Sequence, residues 1–238
     1  MPAIRYGKNP TGDTISGTTT IIGGNLGWSK TPLLIWKENQ VKSVAMELVK
    51  KMFPITDAVI MEFQNQLTKD VKEKAENPMT AGTVLHKIIE CDLKGITPVL
   101  DAPQELIELA ETGFINYLEW KDNVKFKVHK TEVSLIHGEL WYGSTLDCVA
   151  WINGKLSLFD WKLASGIYED YLIQIESYRR NWDFNNPSEP LQGMHLLKID
   201  KEKPSYTHHY WERCPEAWEA FLCTRKLHDL HKILKKMV

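Results

Sequence analysis

The sequence predicts an α/β domain built on a mixed central sheet containing an antiparallel hairpin and flanked by helices, and three features predict it. Apolar residues recur at helical spacing through most of the first half. From Val124 to Lys162 the spacing shortens to two, the period of strands. A helical stretch, two strand-like runs and a terminal amphipathic helix follow, so neither an all-α nor an all-β layering accommodates the chain. With 238 residues, 43% hydrophobic and 25% charged, the chain can bury a substantial core, and disordered, collagenous and low-complexity classes are excluded. No repeat period and no Pro/Gly/Ser-rich linker divides it. It reads as one domain over 1–238, with a mainly helical part over 1–78 and a sheet-bearing core over 79–238.

Taken in order, Thr18 to Ile22 is a β-branched run that predicts a short strand, followed by a glycine-containing turn and a helix from Thr31 to Phe53. The cluster Gly23-Gly24-Asn25-Leu26-Gly27 suggests a phosphate loop, but Ser29-Lys30 has the wrong order and spacing for one, so a plain turn is the better reading. Periodic segments at 56–77, 80–94 and 103–120, bounded by Pro or Gly, predict helices. Strands are expected at 124–136, 140–152 and 155–162, then a helix at 167–182. Strands return at Leu191–Ile199 and Ser205–Trp211, and a last helix starts at Pro215 and turns basic at Lys232–Lys236.

Twenty-nine basic residues against 31 acidic ones give a net charge of −2, so a nucleic-acid site has to be a local basic patch. Cys91, Cys148, Cys214 and Cys223 form no C-x-x-C pair and read as reduced thiols. The N-terminus lacks a signal-peptide pattern and no run of eighteen apolar residues occurs, so secretion and membrane spanning are not expected and the cytoplasm is.

Asn153-Gly154 lies between two alternating apolar runs, the pattern of a two-residue hairpin turn with positive φ at both positions. If Ile152 faces Lys155, then Asp147 lies opposite Asp160 and Thr145 opposite Lys162, all on one face. Opposed carboxylates start from Cβ atoms roughly 5 Å apart and repel unless a cation intervenes. A hard divalent ion is held by one or two carboxylates plus water and phosphate oxygens, and Lys162 would place an ammonium beside the reacting phosphate, so the hairpin suggests metal-assisted phosphodiester hydrolysis. The bland alternative is that Lys162 simply neutralises the two acids. His86 and Glu90 share a face of the helix at 80–94, and Gln174 and Tyr178 share a face of the helix at 167–182, with Arg179 and Arg180 extending it. Taken alone, each pair is better read as an ordinary polar surface pair or rim.

In order the chain carries Gly82-Thr83-Val84-Leu85-His86, Glu132, Gly143-Ser144-Thr145-Leu146-Asp147, Asp160-Trp161-Lys162 and Gln174-Ile175-Glu176-Ser177-Tyr178. This ordered set resembles the PD-(D/E)XK nuclease superfamily, in particular its RecB-like and phage exonuclease branch, over roughly residues 80–180. Gly17 to Gly23, with Trp36 and Asn39, resembles N-terminal regions of phage members more weakly. The resemblance implies a restriction-endonuclease-like core and one or two Mg²⁺ or Mn²⁺ ions. It makes Asp147, Asp160, Lys162 and Glu132 catalytic, with His86, Asp147, Asp160 and the Trp161 carbonyl as metal ligands. Gln174, Tyr178 and Arg179 then contact DNA, and Gln174 and Tyr178 help fix Lys162.

Glu132 depends on the loop. A two-residue turn at His137-Gly138 would set it opposite Gly143, on the order of 13 Å from Asp147. A longer loop centred near Glu139-Leu140 sets it opposite Asp147 and is the expected one. Several RecB-like relatives hold an iron–sulfur cluster with one cysteine before the His and three near the C-terminus. Here Cys91 follows His86 and only Cys214 and Cys223 lie late, so no cluster is expected.

The expected function is a metal-dependent DNA exonuclease in phage or bacterial recombination or end processing. A structure-specific endonuclease and a non-catalytic DNA-binding or assembly module are the rivals. DNA ends, single-stranded ones included, are the expected substrate. A single-strand annealing protein or a helicase is the class of partner, with an oligomer compatible and the cytoplasm of a bacterial or phage-infected cell the setting.

Overall fold

Residues 6–26, 30–51, 59, 61–63, 65–67, 80–200 and 203–237 are described in the computed structural model of the chain. They fall into two units, residues 1–25 with 79–238, and residues 26–78. The helical part expected over 1–78 therefore divides, its first 25 residues going with the sheet. In the second unit α2 (Lys30–Lys51) realises the helix expected from Thr31. Most of the segment at 56–77 lies outside the described residues, as do Gly27 and Ser29.

The first unit carries β1 (Ser16–Gly17), α1 (Thr18–Asn25), α3 (Ala81–Lys94), α4 (Gln104–Asp122), β2 (Phe126–His137), β3 (Tyr142–Ile152), β4 (Lys155–Leu163), α5 (Glu169–Asn185), β5 (Gly193–Ile199), β6 (Tyr206–Trp211) and α6 (Pro215–Leu234). The sheet is mixed, in the order β1-β3-β4-β5-β6 with β2 also on β3. β1 with β3 and β4 with β5 are parallel, the remaining pairs antiparallel.

The strand expected over Thr18 to Ile22 is instead the start of α1. A β-branched run favours a strand only when alternate residues meet alternate environments. Here adjacent Ile21 and Ile22 are both buried, and the Thr18 hydroxyl donates to Gly143 O at 3.2 Å. That tertiary anchoring outweighs helix-propensity differences of about 0.7 kcal/mol per residue.

α3 and α4 cover one face of the sheet, burying Cys148, Ala150, Ile152, Phe159 and Trp161 with Leu85, Ile89 and Trp120. α5 covers the other, where Ile175, Tyr178 and Trp182 meet Leu146, Val149, Leu158 and Leu196. α3 is stopped at both ends: Thr80 caps it by accepting from Thr83 N–H at 3.2 Å, and Gly95 closes it at φ 67°. Asp92 ties α3 to α4 by accepting from Tyr117 Oη at 3.1 Å and Lys121 Nζ at 2.6 Å. Among the described residues no helix is long and apolar enough to cross a membrane.

Candidate active site

The site is set by a turn. Asn153 and Gly154 sit at φ 50° and 82°, the two positive values that a tight hairpin turn requires. They pair Ile152 with Lys155, and the ladder runs from there to Cys148–Phe159 and ends. Asp147 and Asp160 occupy the next position, where the two strands part. β4 continues along β5 as far as Leu163. The main-chain groups of Trp161 are taken by side chains: its N–H donates to Asp147 Oδ2 at 3.3 Å, and its carbonyl accepts from His86 Nε2 at 2.7 Å.

β2 brings Glu132 to the same place. His137 pairs with Tyr142, so the loop is centred between Glu139 and Leu140, and the pairs Thr131–Cys148 and Val133–Leu146 bracket Glu132 and Asp147. The regular alternation of faces breaks here. Leu146 packs on the α5 side, yet Cys148, two residues on, packs on the α3 and α4 side. Glu132 itself adopts φ 51°, a left-handed backbone that a side chain strains by roughly 1–2 kcal/mol. Relief of that strain is testable: Glu132→Gly is expected to be more stable to urea than Glu132→Ala by about 1 kcal/mol, with both losing activity. Equal midpoints would mean that the backbone relaxes.

His86, on α3, stands with Nδ1 3.3 Å from Asp147 Oδ2 while Nε2 faces the Trp161 carbonyl. Both nitrogens therefore meet acceptors, which suits the doubly protonated ring. Burial opposes that charge, but the carboxylate of Asp147 outweighs it and pushes the His86 pKa up to about 9. Burial likewise works against the Asp147 carboxylate, and His86, Lys162 and the Trp161 N–H still hold its pKa below the usual range. For Asp160 burial wins, aided by the Asp147 charge and against Lys162, so its pKa is raised. Glu132 is pushed up to about 7, first by burial and then by Asp147 and Glu90. The two carboxylates at the end of the ladder thus titrate apart, as facing acids do.

Lys162 Nζ lies 2.6 Å from Asp160 Oδ2 and 5.4 Å from the centre of the Tyr171 ring. Gln174 Nε2 donates to Tyr178 Oη at 2.8 Å, and Tyr178 is buried. The aromatic beside Lys162 is therefore Tyr171, which the sequence reading missed; its spacing from Gln174 and Tyr178, three and seven residues, puts all three on one face of α5. Arg179, expected to contact DNA, is 2% exposed and corrects that expectation. Its guanidinium is held by Glu176 and by Asp183. Glu90 accepts from Lys87 Nζ at 3.0 Å and Lys94 Nζ at 2.5 Å.

Among the described residues no three His, Cys, Asp or Glu side chains converge to hold a metal ion. The oxygen donors that do come together are Asp147, Asp160 and the Trp161 carbonyl. Asp160 Oδ2 is buried and meets the Lys162 ammonium at 2.6 Å. Two carboxylates and a carbonyl, with water and phosphate, are the donor set that suffices for Mg²⁺. The residues present thus fit a hard divalent ion; His86, expected as one of its ligands, instead has both ring nitrogens turned to Asp147 and the Trp161 carbonyl and orients them.

The chain matches no known family profile. It is 25% identical over 214 residues to the mouse (Mus musculus) mitochondrial genome maintenance exonuclease 1, covering 82% of this chain. The chain resembles an exonuclease. It spans 61% of that relative's length. Among solved structures, the alkaline exonuclease LHK-Exo of Laribacter hongkongensis matches with TM-score 0.29 at 14% identity, over 66% of this chain and 86% of that one. LHK-Exo in complex with dAMP matches with TM-score 0.38 at 14% identity, over 65% of this chain and 82% of that one. These structural likenesses are loose.

Proposed function

We propose that the chain is a divalent-metal-dependent DNA exonuclease of the PD-(D/E)XK type. The observation that carries this reading is the placement of Asp147 and Asp160 at the first position beyond the β3–β4 ladder, with Lys162 Nζ 2.6 Å from Asp160 Oδ2. The likeness to the mouse exonuclease supports it. Asp147, Asp160 and the Trp161 carbonyl hold the ion, Mg²⁺ or Mn²⁺. When bound, it neutralises charge on the scissile phosphate and makes water a better nucleophile. His86 fixes Asp147 and the Trp161 carbonyl from α3 through its two nitrogens. Glu132 lies across from Asp147 as a further acid of the site, its pKa lifted to about 7 by burial and by the Asp147 charge. Lys162 stabilises negative charge on the phosphate, and Tyr171 and the Gln174–Tyr178 pair border it.

Linear and covalently closed circular single-stranded DNA, each incubated with Mg²⁺ or Mn²⁺, test the reading. Nucleotide release from the linear strand with the circle left intact is expected. Cleavage of the circle would replace exonuclease by endonuclease, and inertness toward both would overturn the nuclease reading.

A further inference from the structure

A second place on the first unit has the chemistry of a nucleotide site and takes no part in the hydrolytic one. The β2–β3 loop, the N-terminal hairpin closed by the Lys8–Thr14 bridge, and α6 enclose a cavity of about 230 Å³. Trp141, Arg225, Lys232 and Lys236 line it, opposed by Asp13 and Asp229. Arg225 is already engaged, with Nε on Leu140 O at 3.1 Å and Nη1 on Asp229. The Asp13 carboxylate accepts from the Thr11 hydroxyl at 2.9 Å. Lys232 donates to Ser16 Oγ at 3.2 Å, and among the described residues neither Lys232 nor Lys236 has a carboxylate within the 4.0 Å of an ion pair. Asp13 acts on both lysines through its charge, yet three cations face two carboxylates, so the lining keeps a net positive charge.

Trp141 adds an independent observation. Its φ is 49° and its N–H closes the turn onto His137 O at 2.8 Å. Gly or Asn takes this backbone at little cost, whereas a bulky residue there is strained. The turn does not need Trp, and Trp141 borders the cavity. A flat aromatic face beside paired cations is how a single strand is held without regard to sequence: the base stacks and the phosphate meets the charge.

We infer that this cavity binds one nucleotide unit of the DNA strand away from the scissile bond, through Lys232 and Lys236 on the phosphate and Trp141 on the base. Trp141, the turn residue just before β3, precedes Asp147 by six residues, about 20 Å at strand rise, so the unit held is several nucleotides from the reacting phosphate. The inference rests on the nuclease reading and adds to it the expectation that long strands are better substrates than short ones.

Binding of a fluorescein-labelled 20-nucleotide single strand, measured by anisotropy in EDTA across a salt series, tests it. The Lys232→Gln/Lys236→Gln protein is expected to lose about fivefold in affinity and to flatten the salt dependence by roughly 1.4 in log–log slope, two contacts at about 0.7 each. Trp141→Ala is expected to weaken binding about fivefold or more, with Trp141→Phe recovering most of it. In Mg²⁺ the preference of the wild type for the 20-mer over a trinucleotide should shrink in the lysine variant. Unchanged affinity and slope in the lysine variant, folded by circular dichroism, would overturn the site while leaving the nuclease reading standing. A wild type that neither binds nor degrades the strand would overturn both. If Trp141→Ala does not fold, the lysine variant decides alone.

Discussion

Asp160→Asn is expected to reduce metal-dependent nucleotide release by at least about a thousandfold, about 4 kcal/mol of barrier, while leaving the protein folded. The loss follows from the donor set: Asp147 and the Trp161 carbonyl are too few to hold a divalent ion against water, and Lys162 is left without its 2.6 Å partner. The stability side runs the other way. Asp160 is 1% exposed, and its raised pKa means that burial makes its charge unfavourable in the fold. A group with folded pKa above the unfolded value contributes stability at low pH that is lost as pH rises, and the 2.6 Å ion pair with Lys162 opposes that loss. Asn keeps the shape without the charge. The metal-free thermal midpoint of Asp160→Asn is therefore expected to stay close to that of the wild type, the relief of burial offsetting the loss of the Lys162 partner. Added Mn²⁺ should raise only the wild-type midpoint, because a ligand stabilises only the state that binds it. Calorimetry with and without metal, beside the nucleotide-release assay, checks both halves. Full activity in the variant would remove Asp160 from the site, and a collapsed midpoint would mean that its charge is structural.

How much of this was legible beforehand can be traced to the kind of signal each residue carries. The approach of Asp147 to Asp160 was legible because Asn153-Gly154 admits one turn, which carries the register as far as Cys148–Phe159, one position short of the two acids. The position of Glu132 followed from the loop centred between Glu139 and Leu140, but its left-handed backbone did not, since Glu has no preference for that region. The break between Leu146 and Cys148 was invisible for the same reason: alternation assumes a regular strand. Thr18 to Ile22 misled because residue type was weighed without the Thr18 hydroxyl and the burial of both isoleucines, which are long-range facts. Arg179 misled through helix phase. One residue past Tyr178 turns the side chain by about 100°, away from the site. There Glu176 and Asp183, three residues before and four after, were already in the sequence to receive it.

The Glu176 cluster sets the second large effect, on stability. Glu176 is wholly buried on α5, and its carboxylate accepts from Arg179 twice, from Arg180 Nε at 3.0 Å and from the Cys214 N–H at 3.3 Å. The last of these bonds ties α5 to the residue before α6. Removing the acid leaves the Arg179 guanidinium with Asp183 alone, in a place where it is 2% exposed. Breaking one partner of such a pair costs about 3–5 kcal/mol, because the remaining charge stays desolvated, and that is a large share of a typical domain stability of about 5–15 kcal/mol. Glu176→Ala is expected to lower the urea unfolding free energy by that amount. Replacing both partners by apolar residues of like volume removes the stranded charge, so Glu176→Leu/Arg179→Met should recover more than half of the loss. The two measurements separate the cost of a stranded ion from the worth of the pair. If the double variant is no more stable than Glu176→Ala, then the bonds to Arg180 and Cys214, rather than the unpaired guanidinium, account for the effect, and the cluster's role is to dock α6.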